Sequence, residues 1–191
     1  MKVLKKGELR KEFLNRREAM GEEEVVLYSE KIRAGLKNLS DFKNAKRILL
    51  YCPIKKEPDL TSLIWESVSL KKEVLLPKVA HDRLRLYRIQ TPQQLKPGSF
   101  CIPEPDGGDE VDPQQVELAV VPGIVFDTRG YRIGFGKGFY DKLLKGVKGV
   151  KVGVAYSFQV LEEIPIDEWD QPVDVLVTEL YILKGGKKYE Y

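Results

Sequence analysis

Histidine occurs once, as His81, and cysteine only twice, as Cys52 and Cys101, in a chain of 191 residues. With a single imidazole, a Ser-His-Asp relay or a His-rich metal centre would have to rest on His81 alone. That residue stands beside Asp82 where a turn between two strands is expected, and it needs no catalytic role there. Two cysteines without motif spacing exclude a disulfide framework or a thiolate metal site and read as small apolar side chains. No apolar run approaches the roughly 18 to 20 residues that cross a bilayer, and the opening MKVLKKGELR lacks the apolar stretch of a signal peptide. The expectation is a cytoplasmic protein without membrane attachment. A strong charge imbalance is missing too: 32 Lys and Arg stand against 29 Asp and Glu, and from residue 60 onward the count is 17 basic to 19 acidic. Such a body is not the basic saddle of a nucleic-acid binder, and no nucleic-acid partner is expected.

What is present is enough for one core. A chain of this length, 42% hydrophobic, buries roughly 70% of the surface its unfolded form exposes, so residues 1–191 are expected to form a single domain. Apolar residues at mixed three- and four-residue steps predict helices over 4–19 and 21–39. RILLYCPI (47–54) predicts a buried strand, 60–70 a helix, and 73–79 and 83–89 two strands around the His81 turn. Residues 91–113, rich in Pro and Gly, read as irregular loop. Further strands are expected at 118–123, 151–157 and 173–179, with a helix from Phe139 to about Gly146. The tail, with extended runs on either side of Gly185 and Gly186, carries a hairpin signal. Strands alternating with helices imply an α/β, three-layer α/β/α domain with a mainly parallel sheet and a C-terminal hairpin. Its ligands should bind beyond the carboxyl ends of the strands.

Two loops fall at that end. KKEPD follows the strand at 47–54, and DTRGYRIGFGKG (127–138) follows the strand at 118–122 and runs into a helix. Gly130, Gly134, Gly136 and Gly138 remove Cβ atoms there, so that backbone N–H groups can converge on phosphate oxygens, and Arg129, Arg132 and Lys137 add positive charge. The motif is not a P-loop, which would need Gly at Tyr131 and Ser or Thr at Gly138. It is not a dinucleotide loop, whose glycines follow the strand directly. A structural turn and a phosphate cradle both remain open. Asp141, in the first helical turn, suits the helix dipole and equally a Mg²⁺ ion beside a polyphosphate, whereas Asp170 alone counts as a loop carboxylate. At the N-terminus seven basic residues (Lys2, Lys5, Lys6, Arg10, Lys11, Arg16 and Arg17) face only Glu8 and Glu12, a local surplus available to an anionic ligand.

The segment VVPGIVFDTRGYRIGFGKGFYD (120–141) reproduces Pro-Gly, Phe-Asp and then Gly-x-Arg-x-Gly-x-Gly-x-Gly-aromatic-Tyr-Asp. With KGELRKEF, YCPIKKEPD, LLPKV, the Glu-Pro at 104–105 and DEWDQPVDVLVTE, the chain resembles the 5-formyltetrahydrofolate cyclo-ligases, also called methenyltetrahydrofolate synthetases, over nearly its whole length. The resemblance implies ATP- and Mg²⁺-dependent ring closure of 5-formyltetrahydrofolate to 5,10-methenyltetrahydrofolate, releasing ADP and phosphate. It further implies that Lys6, Gly7, Glu8, Leu9 and Arg10 contact ATP. Arg132, Ile133, Gly134, Phe135, Gly136, Lys137, Gly138, Phe139 and Tyr140 would cradle its phosphates, with Arg132 and Lys137 the catalytic cations. Arg10, Cys52, Glu57 and the stretch Phe135 to Phe139 would meet the folate, and Asp141 and Asp170 would hold Mg²⁺. Pro58 and Leu60 depart from the family pattern without touching Glu57. The partner implied is the small-molecule folate, and the protein is expected to be a monomer or weak homodimer. Two other readings compete: a sugar-phosphate isomerase or acyl-CoA transferase on the same layered architecture, which would need a positioned carboxylate, and a nucleic-acid binder using the basic N-terminal helix.

Overall fold

The computed structural model describes residues 4–191, so Lys2 of the basic N-terminal cluster lies outside it. In chain order it runs α1 (Lys6–Glu18), α2 (Glu22–Asn38), α3 (Ser40–Asn44), β1 (Arg47–Leu49), α4 (Thr61–Ser69), β2 (Glu73–Ala80), β3 (Arg83–Ile89), β4 (Leu95–Pro97), β5 (Pro103–Pro105), β6 (Glu110–Val111), β7 (Leu118–Val121), β8 (Val125–Asp127), β9 (Arg132–Ile133), α5 (Phe139–Gly146), β10 (Val150–Val154), β11 (Val160–Leu161), β12 (Val175–Val177), β13 (Tyr181–Lys184) and β14 (Lys187–Glu190).

The central strands are near-continuous apolar runs because both of their faces are covered. Ile48, Val74, Val120, Val152 and Val177 pack with Ile32 and Leu36 of α2 and Leu63 and Ile64 of α4. Their neighbours Leu49, Leu75, Val121 and Leu176 point the other way, against Leu143 and Leu144 of α5. Side chains alternate across a strand, so a helix on each face yields the three layers expected. The sheet order is β14-β13-β12-β10-β7-β1-β2-β3-β6. Strands β12, β10, β7, β1 and β2 are mutually parallel, with antiparallel strands at both margins. The C-terminal hairpin β13–β14 forms one margin.

From β1 the chain moves outward to β2, then returns to β7 on the other side of β1 and continues to β10 and β12. The strand order therefore reverses between β1 and β7, the switch point beyond whose carboxyl ends sheets of this kind form their ligand crevice. Strand β1 is shorter than the 47–54 run because the backbone leaves the sheet after Leu50 N–H donates to the Leu75 carbonyl. Pro53 lacks a donor, and Lys55 and Lys56 turn the chain with φ of 45° and 59°, a left-handed conformation that only a well-braced loop holds in non-glycine residues. His81 occupies the β2–β3 turn, exposed, with φ of 55°.

The sequence pattern also missed two smaller sheets: β4 pairs antiparallel with β5 within the stretch 91–113 expected as loop, and in the other β8 pairs antiparallel with β9 and parallel with β11. Helix α1 lies on the latter through Leu9 and Phe13, packed with Ile124, Val125, Ile133 and Ile164. Each large apolar side chain buried in this way contributes about 1.5 to 3 kcal/mol, enough to fix α1 across the mouth of the crevice. Strands of two or three residues carry too little periodicity to be read before the fold is known.

Candidate functional site

Four segments meet at the crevice: the N-terminal half of α1, the loop after β1, the stretch from β9 into α5, and the loop before β12. The third is the most unusual. Gly136 and Gly138 have φ of 103° and 69°, so a Cβ at either would be strained, and no side chain caps the N-terminus of α5. The first intrahelical bond runs from Lys142 N–H to the Gly138 carbonyl, leaving the amides of Phe139, Tyr140 and Asp141 without helical acceptors. An uncapped helix start behind a glycine loop favours an anion through its amides and its dipole. Lys137 is exposed at this point, whereas Phe135 is 44% exposed with the Lys55 ammonium 5.9 Å from its ring centroid.

The other two cations of the motif behave differently. Arg129 is held by the fully buried Asp127, at 3.0 and 2.7 Å, and pairs with Glu163 at 3.0 Å, so it braces the β8–β9 turn and offers no charge to a ligand. Arg132 is 6% exposed: one terminal nitrogen donates to the Pro122 carbonyl at 3.1 Å, the guanidinium lies 5.1 Å from the Tyr140 ring centroid, and Nε has no partner. Burial lowers its pKa, opposed by Asp141, Tyr140, Asp170 and Glu57. It is a cation under the floor of the site.

Gly130 likewise serves the fold. Its φ is 91°, and a Cβ there would stand 2.4 Å from the Val173 carbonyl oxygen. Gly130→Ala is expected to destabilise the protein by about 2 to 4 kcal/mol, read from the urea midpoint, whereas alanine at open, ordinary-φ Gly7 should be silent.

Helix α1 turns its basic residues to separate tasks. Lys6 bridges Asp167, at 2.7 Å, and the buried Asp170. Arg10 donates from Nε to the Gly134 carbonyl at 2.7 Å, which ties α1 to the glycine loop. Arg16 stacks with Phe13 and Phe158, 4.9 Å from each centroid. Lys6, Arg10 and Arg16 are thus engaged by groups of the protein itself. Of the other residues expected to contact nucleotide, Leu9 and Ile133 are core side chains, Gly7 is open, and Glu8 accepts from the Lys5 amide at the helix start.

Asp141 is half-buried and accepts from Gln171 N–H at 3.2 Å, while Asp170 accepts from Asp167 N–H at 2.8 Å. Burial raises the Asp141 carboxyl above its ordinary range, with Arg132 opposing. Among the described residues no cluster of three or more His, Cys, Asp or Glu gathers to hold a metal. Two carboxylates beside an anion site nevertheless fit Mg²⁺, which completes its shell with phosphate and water.

Across the crevice, the loop after β1 is pinned by Tyr51 Oη to the Pro58 carbonyl, 2.7 Å, Tyr156 Oη to the Lys56 carbonyl, 2.8 Å, and Lys56 Nζ to the Glu18 carbonyl, 2.7 Å. It carries Glu57, 4% exposed, whose carboxylate accepts from Ile54 N–H at 3.0 Å. Burial pushes Glu57 up to about 7, against the pull of Arg17, the Ile54 amide and Arg132. Cys52, half-buried on the same loop, is pushed up to about 11 by burial and then by Asp59, so it stays a neutral thiol.

Comparison with known proteins decides the affiliation. A family model described as the 5-formyltetrahydrofolate cyclo-ligase family matches residues 2–179. The chain belongs to that family. The 5-formyltetrahydrofolate cyclo-ligase of Haemophilus influenzae is 33% identical over 73% of this chain and 80% of its own length. A probable 5-formyltetrahydrofolate cyclo-ligase of Schizosaccharomyces pombe is 31% identical over 77% and 81%. Among solved structures, the 5,10-methenyltetrahydrofolate synthetase of Aquifex aeolicus superposes with a TM-score of 0.87 at 52% identity, covering 97% of this chain and 96% of that one. The Mycoplasma pneumoniae synthetase gives 0.77 at 28% identity over 92% and 99%. The cyclo-ligase is therefore an enzyme of the ligase class on a mixed α/β fold. Among its described residues no helix is long and apolar enough to cross a membrane.

Proposed function

We propose that this cyclo-ligase closes 5-formyltetrahydrofolate to 5,10-methenyltetrahydrofolate at the expense of ATP, as one catalytic unit of residues 1–191, a cytoplasmic monomer or weak homodimer. The observation that carries the reading is the uncapped start of α5, reached by a glycine loop with exposed Lys137, opposite a buried carboxylate on the loop after β1. One side suits a triphosphate and the other suits the N–H edge of a pterin, for which a carboxylate is the natural acceptor.

A formamide carbon is a poor electrophile, and attack by N10 would have to expel hydroxide. The formyl oxygen instead attacks the γ-phosphorus, the bond to ADP breaks, N10 adds to the activated carbon with loss of its proton, and phosphate leaves. The protein's work is alignment and charge neutralisation. The α5 amides and Lys137 take up charge on the transferring group, Arg132 adds its field from below, and Arg10 holds the glycine loop against α1. Glu57 orients the pterin, with Cys52 and Phe135 as apolar walls. Asp141 and Asp170 would hold Mg²⁺, which supplies further charge neutralisation at the phosphates, and Lys6 steadies Asp170. No His, Cys or Ser nucleophile is required.

The test is absorbance of methenyltetrahydrofolate in mixtures with and without ATP. ATP-dependent formation supports the reading, and its failure removes it; ATP consumption that needs the formyl-folate separates this enzyme from an isomerase or acyl transferase. Asp141→Asn retains the acceptor for Gln171 N–H and is expected to raise the Mg²⁺ concentration for half-maximal rate by at least about tenfold, the scale for losing even an outer partner of a metal site.

A further inference from the structure

Helix α1 buries a stripe spaced four residues apart, Leu9, Phe13 and Arg17. Two of these are what a core-facing stripe requires; the third is a guanidinium with 0% exposure where an aliphatic side chain would fit the pattern. Burying a charge is costly unless its surroundings repay it. Arg17 Nε donates to the Lys55 carbonyl at 2.9 Å and one terminal nitrogen to the Gly123 carbonyl at 3.1 Å, while its other terminal nitrogen has no hydrogen-bond partner. Those carbonyls belong to the chain leaving β1 and the chain leaving β7, the two walls of the crevice. The charges and titratable groups that face Glu57 are Arg17 from α1, Arg132 from β9, Tyr51 from the loop after β1 and Tyr140 from α5, together with the Ile54 amide.

We infer that Arg17 is a positioning residue, which keeps the Glu57 carboxylate ionised and its loop registered for the folate without touching either substrate. The inference rests on the reading of Glu57 as the pterin's acceptor. Arg17 is the stronger of the two cations that oppose the effect of burial on Glu57, and its two carbonyl bonds fix where that charge sits. A residue placed for packing alone would need neither.

The experiment compares the full-length wild type, Arg17→Met and Arg17→Lys. The pH dependence of kcat/KM for the formyl-folate is measured alongside an infrared titration of the protonated carboxyl band of the free enzyme, assigned by its loss in Glu57→Gln. In the wild type both midpoints are expected at about 7. In Arg17→Met both should rise by at least about one pH unit, which lowers kcat/KM about tenfold on the acid side, and Arg17→Lys should recover part of the shift. A band that does not move in folded Arg17→Met overturns the inference at Arg17. A band that moves while the acid limb stays put overturns it through the folate reading of Glu57. If Arg17→Met does not fold, the double variant with Glu57→Gln decides: rescue of folding supports the pairing, and failure of both variants alike reduces Arg17 to packing and overturns the inference.

Discussion

Replacement of Lys137 by alanine is expected to lower kcat about 10²- to 10³-fold, the effect of removing one preorganised donor from a developing charge. The melting temperature should hardly change, because Lys137 is exposed, and surface changes of this kind stay within about 0.5 kcal/mol. The measurement is steady-state methenyltetrahydrofolate formation at saturating ATP, with thermal unfolding as control. A mobile ammonium can follow charge from the bound triphosphate to the folate oxygen, so the loss should fall on kcat more than on the KM for ATP. Near wild-type turnover would remove Lys137 from the site. Arg132 offers no equally clean test. Buried under Tyr140 and bonded to the Pro122 carbonyl, it supports the local fold as well as the field.

Glu57→Gln should raise the KM for 5-formyltetrahydrofolate about 10- to 100-fold, since hydrogen bonds to a charged group contribute roughly 1.5 to 3 kcal/mol. It should also abolish the acid limb of kcat/KM near pH 7, where the wild-type carboxyl titrates. Stability follows the same group with a definite sign. The folded-state value of about 7 lies above the ordinary 4.5, so the folded protein binds this proton more tightly than the unfolded chain does. The contribution is fully present below about 4.5 and is lost as pH rises through 7, a change on the order of 3 kcal/mol. Unfolding free energy measured across that window should therefore fall with pH in the wild type relative to Glu57→Gln. Equal slopes would show that Glu57 does not titrate there. Once ionised, Glu57 is a buried negative charge that stability alone does not favour, as expected of a group retained for binding.

The candidate site was legible in the glycine loop and less so in its cations. Gly136, Gly138 and the start of α5 lie where the motif implies, because left-handed φ and an uncapped helix follow from local chemistry. Arg129 could not be told from Lys137 in the same way: both are basic residues in one loop, and only the buried Asp127 on β8 explains why Arg129 turns away. In the sequence Arg17 is one charge of a basic cluster, and only the packing of the α1 stripe turns it inward. Asp170, unremarkable in the chain, gains its meaning from Lys6, which bonds to it from 164 positions away in the sequence.

Local patterns in the amino-acid sequence alone determined the layered α/β architecture, the strands buried on both faces, the hairpin around Gly185 and Gly186, and the glycine loop leading into α5. Each depends on periodicity or on backbone preferences within a few residues. Tertiary structure decided the strand order, the small sheet beneath α1, and which charges stay open to a ligand and which are enclosed. Those outcomes depend on contacts between distant segments, and the cost of burying a charge is set by whatever the fold brings beside it.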